Sequence, residues 1–65
     1  MAYNRVQDEV SRLAPRAEEL KRCLYFLVSS ITEEEMVEND GAQAHLASAA
    51  DHLHAACESI EKAKK

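Results

Sequence analysis

The apolar residues in the first half of the chain recur at alternating intervals of three and four positions. Such spacing is the a/d pattern of a coiled coil, in which one apolar seam of an α-helix faces a neighbouring helix. The pattern predicts a first helix, or a pair of helices, over about residues 3–37. The predicted seam consists of Tyr3, Val6, Val10, Leu13, Ala17, Leu20, Leu24, Leu27 and Ile31.

Two sequence features interrupt this helix. Pro15 removes one backbone hydrogen bond and clashes with the preceding turn, which costs about 3 kcal/mol inside a helix. It lies opposite the seam, however, and proline also suits the first position of a helix. The sequence therefore predicts either a kinked helix or a tight break near Pro15. Further along, Thr32 and Glu35 match a capping box, which predicts a local irregularity in the helix.

A turn over residues 39–41 separates the first helix from a second one. Gly41 adopts left-handed backbone geometry easily, and Asp40 with Gln43 matches a second capping box. The apolar spacing that follows predicts a helix over about residues 42–62. Its core stripe consists of Leu46, Ala50, Leu53, Cys57 and Ile60, and the alanines along one edge are Ala42, Ala49, Ala56 and Ala63.

The short turn makes the two helices antiparallel neighbours. The predicted fold is therefore a single all-α domain over residues 1–65, an antiparallel helical hairpin whose first helix is kinked or broken at its proline. Two registers, one helical turn apart, satisfy the pattern. One places Leu24 beside Leu53, and the other places Cys23 level with Cys57.

The second helix cannot shield all the apolar surface of the first. In the first register it covers the edge that carries Leu20 and Leu27, but it ends near the level of Leu13. A chain this short buries only about 60% of its unfolded surface, and small domains often gain the rest from a partner. Either the N-terminal segment folds back as a third helix, or a second chain covers this surface. The sequence favours the second, a homodimer in which two hairpins form a four-helix bundle. The predicted interface consists of Tyr3, Val6, Val10, Leu13, Tyr25, Phe26 and Val28.

The predicted hairpin tip is acidic, and no Lys or Arg lies between Arg22 and Lys62. The net charge of −4 weighs against a nucleic-acid partner, because phosphate contacts need clustered cations. A charge run is usually a solvated surface. The functional alternative is docking onto the basic surface of an unidentified protein partner. This acidic tip consists of Glu33, Glu34, Glu35, Glu38 and Asp40.

Asp51, His54 and Glu58 share one face of the second helix at spacings that suit a divalent metal. A solvated polar flank explains these three residues better, so neither a metal nor another cofactor is expected. Cys57 belongs to the core stripe and Cys23 precedes an apolar run. Both cysteines are expected to be reduced and structural.

Features of an enzyme are missing from the sequence. It has no glycine-rich phosphate loop and no nucleophile motif, and so small a hairpin leaves no room for an enclosed substrate pocket. We therefore expect no catalysis. The N-terminus has no signal-peptide pattern, and no apolar run reaches the roughly 20 residues that span a bilayer. These observations predict a cytoplasmic protein.

The sequence as a whole indicates a non-catalytic, acidic protein–protein interaction module that self-associates. Such a module acts as an adaptor, a chaperone or an inhibitor of a protein partner, as phage-encoded inhibitors of bacterial defence systems do. One alternative is a nucleic-acid-binding regulator built on a four-helix bundle, which requires basic residues to converge on one face of the dimer. A second alternative is a metal-binding helical module, which a chelator would destabilise.

Overall fold

The structure is a computed structural model that describes residues 3–64. Within that range the chain forms three α-helices and no β-strand. The helices are α1 (Arg5–Ser30), α2 (Glu33–Glu38) and α3 (Ala42–Ala63). α1 and α3 pack against each other in a molecule that measures 57 × 14 × 13 Å. The predicted all-α helical hairpin is therefore confirmed.

The proline of α1 lies inside a continuous helix. Asn4 caps the start of α1, where its Oδ1 accepts a hydrogen bond from the Gln7 backbone N–H at 3.1 Å. The helix then runs through Pro15 to Ser30 without interruption. The proline nitrogen cannot donate to the carbonyl of Ser11, but both residues are exposed, so water can bind that carbonyl. The predicted alternative of a break at Pro15 is wrong.

The chain leaves helical geometry at Ile31 instead, with φ −66° and ψ 126°. Thr32 then caps α2. Its hydroxyl accepts a hydrogen bond from the Glu35 N–H at 3.2 Å, and the Glu35 carboxylate accepts one from the Thr32 N–H at 3.2 Å. These reciprocal bonds form the capping box that the sequence predicts. α1 therefore ends just before the residue that caps the start of α2.

Gly41 provides the turn between α2 and α3. Its φ of 79° lies in the left-handed region, which a residue without Cβ adopts at little cost. Gly41 is also the N-cap of α3, which has no side-chain cap, so the predicted capping box of Asp40 and Gln43 is wrong. Gln43 contacts α1 instead, and its Nε2 donates a hydrogen bond to the carbonyl of Val28 at 3.5 Å.

The register of the hairpin follows from that bond and from a second one at the far end, where Gln7 Nε2 donates to the Ala63 carbonyl at 2.8 Å. Counting along antiparallel helices then places Ala14 level with Cys57. α3 extends well past Leu13, so both predicted registers are wrong. The predicted first helix runs to about residue 37, but α1 ends at Ser30. The chain therefore starts to reverse earlier than predicted, and α3 reaches further along α1.

The contact between α1 and α3 buries small side chains. Ala14 is 5% exposed, Ala50 0% and Cys57 5%, and within residues 3–64 no large side chain is fully buried. Small side chains let the helix backbones approach closely, but each removes little apolar area from water. The hairpin alone therefore gains little hydrophobic stabilisation.

Candidate protein-interaction surfaces

α1 meets α3 along a seam that is rotated from the predicted one. The observed seam contains Lys21 in place of Leu20 and Val28 in place of Leu27. Val10 and Val28, both assigned to the interface with a second chain, lie in this seam within the hairpin. Predicted and observed seams both repeat every seven residues, so periodicity alone does not distinguish them. The observed seam consists of Gln7, Val10, Ala14, Ala17, Lys21, Leu24, Val28 and Ile31, all buried or half-buried.

The rotation leaves a stripe of large apolar side chains of α1 exposed. Val6 is 57% exposed and Leu13 is 51% exposed. Leu20 and Leu27 follow at the same sevenfold spacing, with 54% and 45% exposed. The prediction that the second helix covers Leu20 and Leu27 is therefore wrong. We call these four residues the leucine stripe.

A stripe of alanines runs along one edge of α3. Ala49, Ala56 and Ala63 are exposed, and Ala42 is half-buried. Their sevenfold spacing places them one above another on the helix surface. We call these four residues the alanine stripe.

The two stripes lie on the same flank of the hairpin. A hydrogen bond of 3.4 Å from Tyr25 Oη to Asp51 Oδ1 marks the opposite flank. Helical periodicity places Leu20 on the side of α1 away from Tyr25, and Ala49 on the side of α3 away from Asp51. The leucine stripe and the alanine stripe therefore form one broad surface, which we call the apolar face.

The flank marked by Tyr25 and Asp51 is polar. Lys21 Nζ lies 3.1 Å from Glu18 Oε2, and the Lys21 side chain is only 18% exposed. The hydrogen bond with Glu18 raises the pKa of Lys21, and the same bond lowers the pKa of Glu18, because each charge stabilises the other. This ion pair makes a lysine compatible with the seam that faces α3.

Two of the three candidate metal ligands pair with each other on this polar flank. His54 Nε2 lies 3.0 Å from Glu58 Oε1. Asp51 instead accepts the hydrogen bond from Tyr25. Among residues 3–64, no group of three His, Cys, Asp or Glu side chains is placed to hold a metal ion.

The remaining residues that the sequence singles out do not form a cluster. Tyr3 is 74% exposed, and its hydroxyl donates a hydrogen bond of 2.9 Å to Asp8, which raises the pKa of Tyr3. Phe26 is 74% exposed, and helical periodicity places it on the side of α1 away from α3. Both thiols are free, with Cys23 exposed and Cys57 buried.

The hairpin tip combines acidic side chains with an apolar groove. Every residue of the acidic tip is exposed, and within residues 3–64 none of them forms an ion pair. The groove beside them has a volume of about 220 Å³, and we call it the tip groove. Its lining consists of Leu27, Ile31, Glu35, Met36, Asn39, Ala42, Gln43 and Leu46.

Sequence reasoning missed two of these features, the part of the apolar face formed by Leu20 and Leu27 and the tip groove. One signal favoured the observed seam. Ala14 is the small residue that lies level with Cys57, and small residues mark the closest approach of two helices. The groove had no comparable signal, because its lining comes from three helices whose relative positions depend on the break before α2.

No protein-family model, curated protein or solved structure matches this chain. Among the helices of residues 3–64, none is long and apolar enough to cross a membrane. A functional interpretation therefore depends on the apolar face and the hairpin tip.

Proposed function

We propose that this chain is a non-catalytic protein-interaction module that self-associates through its apolar face. Two hairpins stack face to face and form a homodimeric four-helix bundle. The observation that carries the proposal is the exposure of the leucine stripe, with Leu20 54% and Leu13 51% exposed. In a single hairpin, side chains of this size forgo about half of the free energy that full burial provides, and a second copy supplies it.

The two stripes of the apolar face are complementary in size. When a two-fold axis parallel to the helices relates the hairpins, the alanine stripe of one lies over the leucine stripe of the other. We align α1 of one copy with α3 of the other in the same register that these helices have within one chain. Leu20 then lies between Ala49 and Ala56 of the second copy. Leu13 and Leu27 fill the corresponding gaps one heptad away. Large side chains set between small ones give the dense packing that supports this arrangement.

A bend of α1 at Pro15 belongs to the same proposal. Proline inside a helix usually bends it, because its ring displaces the preceding turn. Pro15 lies on the exposed side of α1, so the bend curves the helix toward α3. Residual dipolar couplings measured on either side of Pro15 would report one helix direction if α1 were straight, and two if it is bent.

The acidic tip is the surface that this module offers to its protein partner. In the proposed dimer both acidic tips lie at the same end, where their fields add. A partner with a basic surface is attracted to that end, and charge complementarity raises both the rate and the specificity of binding. The module then acts as an adaptor, a chaperone or an inhibitor of that partner.

Light scattering after size exclusion tests the dimer at micromolar concentration. We expect twice the 7.3 kDa mass of one chain, and a monomer mass would refute the proposal. The arrangement is tested by mixing a chain that carries Leu20→Cys with a chain that carries Ala49→Cys, each with Cys23 and Cys57 replaced by alanine. Oxidation should link two chains through this pair. The matched pair of Phe26→Cys with Ala49→Cys should stay unlinked, because Phe26 lies away from the face.

A further inference from the structure

We propose that the tip groove binds one bulky apolar side chain of a partner segment that carries Lys or Arg on both sides of it. This inference depends on the proposed function in assigning the hairpin tip to a protein partner. The groove also shares Leu27 and Ala42 with the apolar face, so in the dimer the partner segment enters the groove from the side of Ile31 and Met36. The groove supplies the contact with the anchor side chain, and the acidic tip supplies the contacts with the flanking cations.

The size of the groove indicates a side chain as its occupant. Its volume of about 220 Å³ is smaller than the roughly 300–1,000 Å³ of ordinary small-molecule pockets. Its apolar lining comes from both ends of the hairpin turn, with Ile31 before α2, Met36 within it and Leu46 after it. A single leucine, methionine or phenylalanine inserted there would contact all three.

Each polar side chain of the lining already makes a hydrogen bond through one of its atoms. The Glu35 carboxylate accepts bonds from Thr32, and Asn39 Nδ2 donates to the Glu35 carbonyl at 2.9 Å. Gln43 Nε2 donates to the carbonyl of Val28. The apolar side chains outnumber the polar ones in the lining, and an apolar anchor buries against them without needing a hydrogen-bond partner. The groove therefore selects an apolar side chain.

Charge complementarity identifies the residues that flank this anchor. Glu33, Glu34 and Glu38 are exposed around α2, and neither they nor Asp40 forms an ion pair within residues 3–64. No Lys or Arg lies between Arg22 and Lys62 in the sequence. The acidic field at the tip is therefore not neutralised locally, and a partner segment with Lys or Arg beside its anchor gains the most from it.

The test is fluorescence anisotropy with the full chain and a labelled peptide that has one leucine between lysines. Replacing that leucine by alanine in the peptide should weaken binding about tenfold or more, because the anchor loses its contacts in the groove. Met36→Gln should weaken binding of the leucine peptide about fivefold. Val37→Gln is the matched control, because Val37 is 82% exposed and lies outside the groove lining, and it should leave binding unchanged.

Salt separates the two contributions to binding. Replacing Glu33, Glu34 and Glu38 by glutamine should remove most of the salt dependence while preserving the preference for leucine over alanine. Glu35 is kept, because its carboxylate forms the capping box. Equal binding of the leucine and alanine peptides would overturn the inference by showing attraction through charge alone.

The outcome for the groove is distinguishable from that for the dimer. If the chain has a dimer mass but binds neither peptide, the groove assignment fails and the self-association stands. If the second copy fills the groove itself, the leucine peptide does not bind and Met36→Gln weakens the dimer, which also overturns the inference. Dimerisation should strengthen with added salt, since the two acidic tips repel each other, whereas peptide binding should weaken.

Discussion

Replacing Leu20 by alanine tests the centre of the proposed interface between two hairpins. Leu20 is 54% exposed in the hairpin, and complete burial of a leucine is worth about 1.5–3 kcal/mol. Burying the exposed half therefore contributes about 1 kcal/mol per chain, or about 2 kcal/mol per dimer. The alanine also leaves a cavity between the chains, which adds to the loss. The dimer dissociation constant of Leu20→Ala should rise at least about 30-fold.

Sedimentation equilibrium measures this constant over a range of concentrations. Phe26→Ala is the matched control, because Phe26 is a large apolar residue of the same helix, 74% exposed and outside the apolar face. Its dimer constant should equal that of the unchanged chain. The reasoning is refuted if Leu20→Ala dimerises as tightly as the unchanged chain, or if Phe26→Ala loses as much. Circular dichroism should show equal helix content in both variants.

Three further predictions concern the helices themselves, each measured at one fixed protein concentration because dimerisation contributes to stability. Pro15→Ala should raise the free energy of unfolding by about 2 kcal/mol in urea, because the regained hydrogen bond and the relieved clash outweigh the added freedom of the unfolded chain; no gain would mean that the proline is not strained. Thr32→Ala should lower it by about 1 kcal/mol, because the Glu35 N–H loses its acceptor, and unchanged stability would show that the cap is dispensable. Lys21 lowers the pKa of Glu18 below its ordinary value of 4.5. The ionised Glu18 therefore adds to the free energy of unfolding above pH 4.5, and this contribution is lost as the pH falls through the lowered pKa. Glu18→Gln should therefore show a weaker loss of stability in acid, and an acid titration identical to that of the unchanged chain would contradict the assignment.

Part of the candidate site was accessible from the sequence. Val6 and Leu13 belong to the predicted interface, and both lie on the leucine stripe with about half of each side chain exposed. The reason for their exposure is different from the predicted one. α3 does extend past Leu13 and ends beside Gln7, next to Val6, but it packs against the neighbouring face of α1. A correct choice of residues thus came with the wrong geometry, because the sequence determines which positions are apolar but not which of them a neighbour covers.

The neighbouring residues of the sequence specify the local structure of this chain. The helical class follows from apolar spacing, the left-handed turn from Gly41, and the start of α2 from the reciprocal bonds of Thr32 and Glu35. Each depends on residues within about one helical turn of each other, so the neighbouring letters specify it.

The rotation and register of the two long helices depend instead on tertiary contacts. The predicted and observed seams both repeat every seven residues and share four positions, so the local pattern satisfies both. The choice between them depends on residues far apart in the chain, such as Ala14 and Cys57, where small side chains let the backbones approach. The register depends on where the chain reverses. That point lies earlier in the chain than predicted, because α1 ends at Ser30. An antiparallel hairpin transmits such a shift along its whole length, which is why α3 extends to Gln7 and leaves the leucine stripe exposed beside it.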